Sequence, residues 1–137
     1  MNSDKEKIVI VGGCGHVGIP LGLALASKGF DVTLLDKNQS NIGMINSGEL
    51  PFVENGADEI LHAHIGKSLR ASDDHSFIKN ADILFFVIGT PVDEHLNPKV
   101  RDVISVIGEY VPYLSEKQLL IMRSTLFPGT LRIIQEY

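Results

Sequence analysis

The chain has little of what would place it outside the ordinary soluble globular class. It holds a single cysteine, Cys14, so no internal disulfide framework is possible and a reducing, cytoplasmic setting suits it. Its 12 basic residues are scattered, and the net charge is −5. Nucleic acid, which is recognised through clustered basic surface, is therefore not an expected partner. There is no low-complexity tract, internal repeat or interdomain linker. No apolar run is free of glycine for long enough to span a bilayer. The stretch 8–26 follows Lys5 and Lys7 and imitates a signal peptide, but it carries Gly12, Gly13, Gly15, Gly18 and Gly22 as well as His16 and Pro20. That density fits a strand, a tight turn and a buried helix better than a membrane segment.

What remains is 137 residues, 44% hydrophobic and 21% charged, enough for one domain with its own core. Lys7–Val11 is a β-branched run ending at glycines and reads as a buried parallel strand. A helix is expected over 16–28, stopped by Gly29. The reading continues with a strand at Asp31–Leu35, a weaker helix over 40–46 and a loop over 49–56. Ala57–His64 reads as a helix and Leu69–Ser72 as a short strand. Asp73 and Asp74 are placed to cap a brief helix through Lys79.

Residues 82–88 form the clearest buried strand, with Phe85 and Phe86 as sheet core. A loop over 89–99 leads to a helix over 100–114, a strand over 118–122 and a last helix opened by Pro128. Strands alternating with helices predict an α/β fold: a Rossmann-type, doubly wound parallel sheet in a single three-layer domain covering 1–137. The last helix would be cut off at Tyr137, so a piece of a longer enzyme is expected, truncated at the C-terminus.

Gly13-Cys14-Gly15-His16-Val17-Gly18 is a G-x-G-x-x-G between the first strand and the first helix. The first glycine permits the turn and the second lets a pyrophosphate approach the backbone. The third lets helix and strand pack closely, while the helix N-terminus offers free N–H groups to the anion. Asp36 ends the second strand about twenty residues on, where a carboxylate can accept from an adenosine ribose and disfavours a 2′-phosphate. The pair predicts NAD as cofactor. A second spacing, Gly12-x-x-Gly15-x-x-Gly18, is typical of short-chain dehydrogenases, which need a Tyr-x-x-x-Lys pair on a helix. Tyr113 and Lys117 have that spacing, but Pro112 precedes them and a strand follows, so the match is read as accidental.

Four stretches together resemble the UDP-glucose/GDP-mannose dehydrogenase family, across its N-terminal NAD domain. The first runs from Gly13 to Leu21, similar to G-x-G-Y-V-G-L-P-L with His16 in place of tyrosine. The second is Asp36 followed by Met44-Ile45-Asn46-Ser47-Gly48, Pro51 and Glu54-Asn55-Gly56. The third is Ala81-Asp82 through Val87, then Thr90-Pro91, with Gly89 where proline is common. The fourth is Arg123-Ser124-Thr125-Leu126-Phe127-Pro128-Gly129-Thr130.

The resemblance implies an enzyme that oxidises the C6 hydroxymethyl of a UDP- or GDP-linked sugar to a carboxylate with two NAD in succession, through a cysteine thioester. The family's nucleophilic cysteine, its lysine and asparagine, and the sugar-nucleotide pocket lie in a central helix and C-terminal domain beyond this chain. The piece alone is expected to be inactive, and the complete protein to be a homodimer or higher. By position, Gly13, Cys14, Gly15, His16, Val17 and Gly18 form the pyrophosphate turn, with His16 and Val17 offering N–H groups, and Asp36 holds the ribose. Thr90 and Pro91 lie toward the nicotinamide. Thr125 matches a family threonine near the reaction centre, although it is also placed to cap the last helix.

One departure is Asn41, standing where some members have a basic residue, which removes a phosphate or ribose contact. The alternatives are another Rossmann oxidoreductase, of 3-hydroxyacid or 6-phosphogluconate type, or a domain that binds NAD or a nucleotide without turnover. No metal site is expected: His62 and His64 are two apart on a helix and diverge. His75 and His95 are read as solvated.

Overall fold

The computed structural model describes residues 5–88, 94–95 and 100–123. It forms five parallel strands in the order β3-β2-β1-β4-β5. These are β1 (Lys7–Val11), β2 (Asp31–Leu35), β3 (Leu69–Ser72), β4 (Ile83–Phe86) and β5 (Leu119–Met122). The helices are α1 (Gly18–Ser27), α2 (Gln39–Asn46), α3 (Ala57–His64), α4 (Ser76–Lys79) and α5 (Val100–Gly108). The order reverses direction at β1, which has β2 on one side and β4 on the other. In such sheets ligands bind beyond the carboxyl ends of the strands at that switch point.

Strand alternation sorts the core into two layers. Ile8, Ile10, Val32, Leu34, Leu69 and Ala71 face α1, α2 and α3, packing with Ile19, Leu23, Ile45 and Leu61. Val9, Val11, Leu35, Leu84 and Phe86 face the other way, against Ile78, Ile107 and Tyr110. This is the three-layer α/β arrangement expected from the sequence. Among the described residues no helix is long and apolar enough to cross a membrane.

Several boundaries differ from the sequence reading, each for a local reason. The first helix begins at Gly18 rather than near His16, because residues 14–17 are spent on the phosphate turn. The second begins at Gln39, where the Asn38 side chain accepts from the Asn41 amide at 3.1 Å, an N-cap visible in the sequence. The helix expected over 100–114 stops at Gly108 and gives way to a 3₁₀ turn, Val111–Tyr113. Pro112 has no N–H to donate to the Gly108 carbonyl, so the α-helical ladder cannot continue through it, whereas the first turn of a new 3₁₀ segment tolerates proline. The N-cap position of α4 is His75, without a side-chain cap bond; Asp74, one residue earlier, accepts from the Ser76 amide at 2.9 Å, and Asp73 accepts from Gln39 at 2.7 Å. The expected last helix after Pro128 lies outside the described residues.

His75 corrects another expectation. It is not a solvated histidine: its ring packs against Tyr110 and Tyr113, at centroid distances of 5.0 and 5.3 Å. The two tyrosines come from the segment after α5, inside the span expected as one continuous helix over 100–114.

Candidate dinucleotide site

The chain leaves β1 through Gly12, whose φ of +79° is a left-handed conformation suited to glycine. The amides of Gly12 and Gly13 both donate to the Leu35 carbonyl, at 2.8 and 3.1 Å, pinning the turn to the end of β2. A Cβ on Gly13 would stand 2.7 Å from the Ile10 oxygen and 2.9 Å from Leu34 Cα. One on Gly18 would stand 2.5 Å from Gly13 Cα. Both glycines are therefore demanded by backbone-on-backbone packing. Gly15 is different, since a Cβ there meets nothing within 4 Å. The first and third glycines close the turn, and the second keeps a space open.

Asp36 closes one side of that space. Its Oδ2 accepts from the Cys14 amide at 2.9 Å, while Oδ1 accepts from the Lys37 and Asn38 amides at 2.8 and 3.1 Å. The carboxylate is thus fixed against the turn and turned toward it. Asn41, five residues on, donates from Nδ2 to the Cys14 carbonyl at 2.9 Å. Asn41 thereby ties α2 to the turn.

The amides of Gly15, His16 and Val17 have no acceptor among the described residues. The first bond of α1 runs instead from the Ile19 amide to the Gly15 carbonyl, at 3.1 Å. Three successive free donors opening a helix form an anion cradle. Above it, the exposed His16 ring stacks on Phe52, with centroids 4.1 Å apart and planes 15° from parallel. Phe52 is a member of this corner that sequence reasoning does not find, because an aromatic in a proline-bearing loop carries no local signal.

Cys14 is buried and free. Burial first, and the neighbouring Asp36 charge second, push its thiol up to about 12. A thiol so protonated is a poor nucleophile. Tyr113 lies in the 3₁₀ turn, 5.7 Å from Lys79 Nζ, so the Tyr113–Lys117 spacing is not a helical catalytic pair. His62 pairs with the Gly48 carbonyl and His64 with the Ser68 hydroxyl, each at 2.9 Å.

The structure brings Gly13 through Gly18 and Asp36 into one corner. Thr90, Pro91 and Thr125 lie outside the described residues. The chain leading toward Thr90 leaves the sheet beside the turn, where the Val87 amide donates to the Val11 carbonyl at 3.0 Å.

Residues 6–137 match the family described as "UDP-glucose/GDP-mannose dehydrogenase family, NAD binding domain". The chain belongs to this family. A putative UDP-glucose 6-dehydrogenase of Bacillus subtilis, YtcA, is 34% identical over 90% of the chain and 28% of its own length. GDP-mannose 6-dehydrogenase of Pseudomonas savastanoi pv. phaseolicola is 32% identical over 86% of the chain and 28% of its own length. The solved ternary complex of GDP-mannose dehydrogenase from Pseudomonas aeruginosa superposes with a TM-score of 0.83 at 28% identity, covering 93% of this chain and 30% of that one. The chain thus spans less than a third of the length of these relatives. It is the family's NAD-binding domain, with a Rossmann-like parallel sheet, and its cofactor is NAD.

Proposed function

We propose that this domain serves an enzyme that oxidises the C6 hydroxymethyl group of a UDP- or GDP-linked sugar to a carboxylate. The observation that carries the reading is the pairing of three free amides, Gly15 to Val17, with a fixed Asp36 carboxylate in an NAD-binding domain of this family. NAD, when bound, supplies the hydride acceptor. The chain's own residues bind and orient it.

In this reading the amides of His16 and Val17 bind the pyrophosphate, in the space that Gly15 leaves open. Gly13 and Gly18 hold the turn against β1 and β2, and Cys14 contributes its backbone. Asp36 accepts from the adenosine ribose with the lone pair its three amide partners leave. Thr90 and Pro91, which follow β4 in the sequence, are assigned to the nicotinamide side, and Thr125, which follows β5, to the neighbourhood of the reaction centre. Cys14, buried and protonated, is not the thiol of the oxidation, which we assign to the remainder of the enzyme. We further assign the complete enzyme to a homodimer or larger assembly and to the cytoplasm, which suits a free thiol.

The test is to supply the full-length protein with NAD and a panel of UDP- and GDP-sugars and to follow NADH. Two NADH per sugar, with a uronic acid product, is the expected result. NAD binding without turnover of any nucleotide sugar would contradict it and leave a nucleotide-binding domain.

A further inference from the structure

Lys37 directly follows the carboxylate that faces the ribose position, and its flexible four-carbon stem gives its ammonium a wide reach around that point. That ammonium is engaged elsewhere. Lys37 Nζ lies 2.8 Å from Glu109 Oε2, just past the end of α5, and the hydrogen bond it donates to Glu109 raises the lysine above its ordinary range. Glu109 is itself held in place by its neighbour. Tyr110 is buried and packs edge-on against Phe86, with centroids 6.2 Å apart. Burial pushes the Tyr110 phenol up; the charge of Lys37 opposes this, and those of Glu109 and Asp36 add to it. Tyr110 thus stands within electrostatic range of Asp36, and Glu109 beside it reaches Lys37, the residue after Asp36.

We propose that Glu109 is a specificity-determining residue for the dinucleotide, acting by withholding Lys37 from a 2′-phosphate. NAD presents a ribose hydroxyl at that point and needs only the Asp36 acceptor. NADP presents a phosphate of charge about −2, which meets the Asp36 carboxylate and finds the adjacent lysine already paired. Discrimination thus has two parts, repulsion by Asp36 and sequestration of Lys37. The inference rests on the reading that Asp36 faces the adenosine ribose.

Both side chains of the pair are substantially exposed, at 65% and 42%. Such pairs are screened and individually weak, so releasing Lys37 is worth about a two- to five-fold change in affinity. The experiment is calorimetric titration of NAD and NADP at low ionic strength into the wild-type chain, Glu109→Gln, Lys37→Met, the double variant and Asp36→Asn. Glu109→Gln is expected to raise the NADP/NAD affinity ratio two- to five-fold, and the double variant to lose that gain. A ratio unmoved by Glu109→Gln overturns the proposal. So does a gain that survives in the double variant, which would mean that simple loss of negative charge explains it. Asp36→Asn reports on the underlying reading separately: it narrows the preference for NAD if Asp36 faces the ribose and leaves it intact if it does not.

Discussion

His16 and Phe52 stack ring on ring, 4.1 Å between centroids, although one belongs to the phosphate turn and the other to the loop between α2 and α3. The stack braces the most exposed part of the turn, whose outward amides have no other support. Aromatic pairs of this kind are worth about 0.5–1.5 kcal/mol beyond their buried area. Phe52→Ala is therefore expected to weaken NAD binding about three- to ten-fold in a calorimetric titration, and Phe52→Tyr to keep it. Equal affinity in Phe52→Ala and wild type would show that the turn needs no brace.

The glycines of the turn separate binding from folding. Gly15→Ala places its methyl in open space, so the melting temperature should hold while NAD affinity falls at least ten-fold, about 1.4 kcal/mol, because the methyl occupies the anion's approach. Gly18→Ala drives a Cβ to 2.5 Å from Gly13 Cα. Overpacking of that kind costs about 1–3 kcal/mol, so a lowered melting temperature in thermal unfolding is the expected outcome there.

Cys14 makes a pH prediction with a definite sign. Its thiol is raised from an ordinary value of 9.0 to about 12 in the folded chain, so between those values the folded state retains a proton that the unfolded state releases. Stability from this group is present in full below pH 9 and is lost as pH rises toward 12. Denaturant midpoints measured across that window should fall more steeply for wild type than for Cys14→Ala. At pH 8 the native thiol should resist iodoacetamide and react only on unfolding.

Asn46 joins α2 to β3 through two bonds with Ala71, donating to its carbonyl at 2.8 Å and accepting from its amide at 3.0 Å. Asn46→Ala leaves a partly buried edge amide without its partner. A loss of about 1–3 kcal/mol in denaturant unfolding is expected, with NAD affinity retained because the phosphate turn is not touched.

The sequence was most legible where the signals were local. The bounds of β2 and the start of α3 follow from Gly29, Asp36 and Gly56, glycines and a polar stop that punctuate the chain. Gly13, Gly18 and Asp36 were readable for the same reason: each acts through its own backbone or through the end of an adjacent strand. The helix break at Gly108 is hidden in the sequence because the 3.6-residue apolar pattern continues through Pro112 to Leu114. Asn41, Phe52, His75 and Glu109 carry no local signal as partners, since each meets a residue far away in the chain. Only the packed sheet brings those pairs together.

The central claim is that the Asp36 carboxylate, held against the Cys14 amide at 2.9 Å, receives the adenosine ribose of NAD. Hydrogen bonds to a charged group are worth about 1.5–3 kcal/mol, so the most direct measurement is calorimetric titration of wild type and Asp36→Ala with NAD and with NADP. The account predicts that wild type prefers NAD at least ten-fold and that Asp36→Ala loses about ten-fold in NAD affinity and most of that preference. Equal binding of NAD and NADP by wild type, or undiminished NAD binding by Asp36→Ala, would contradict it.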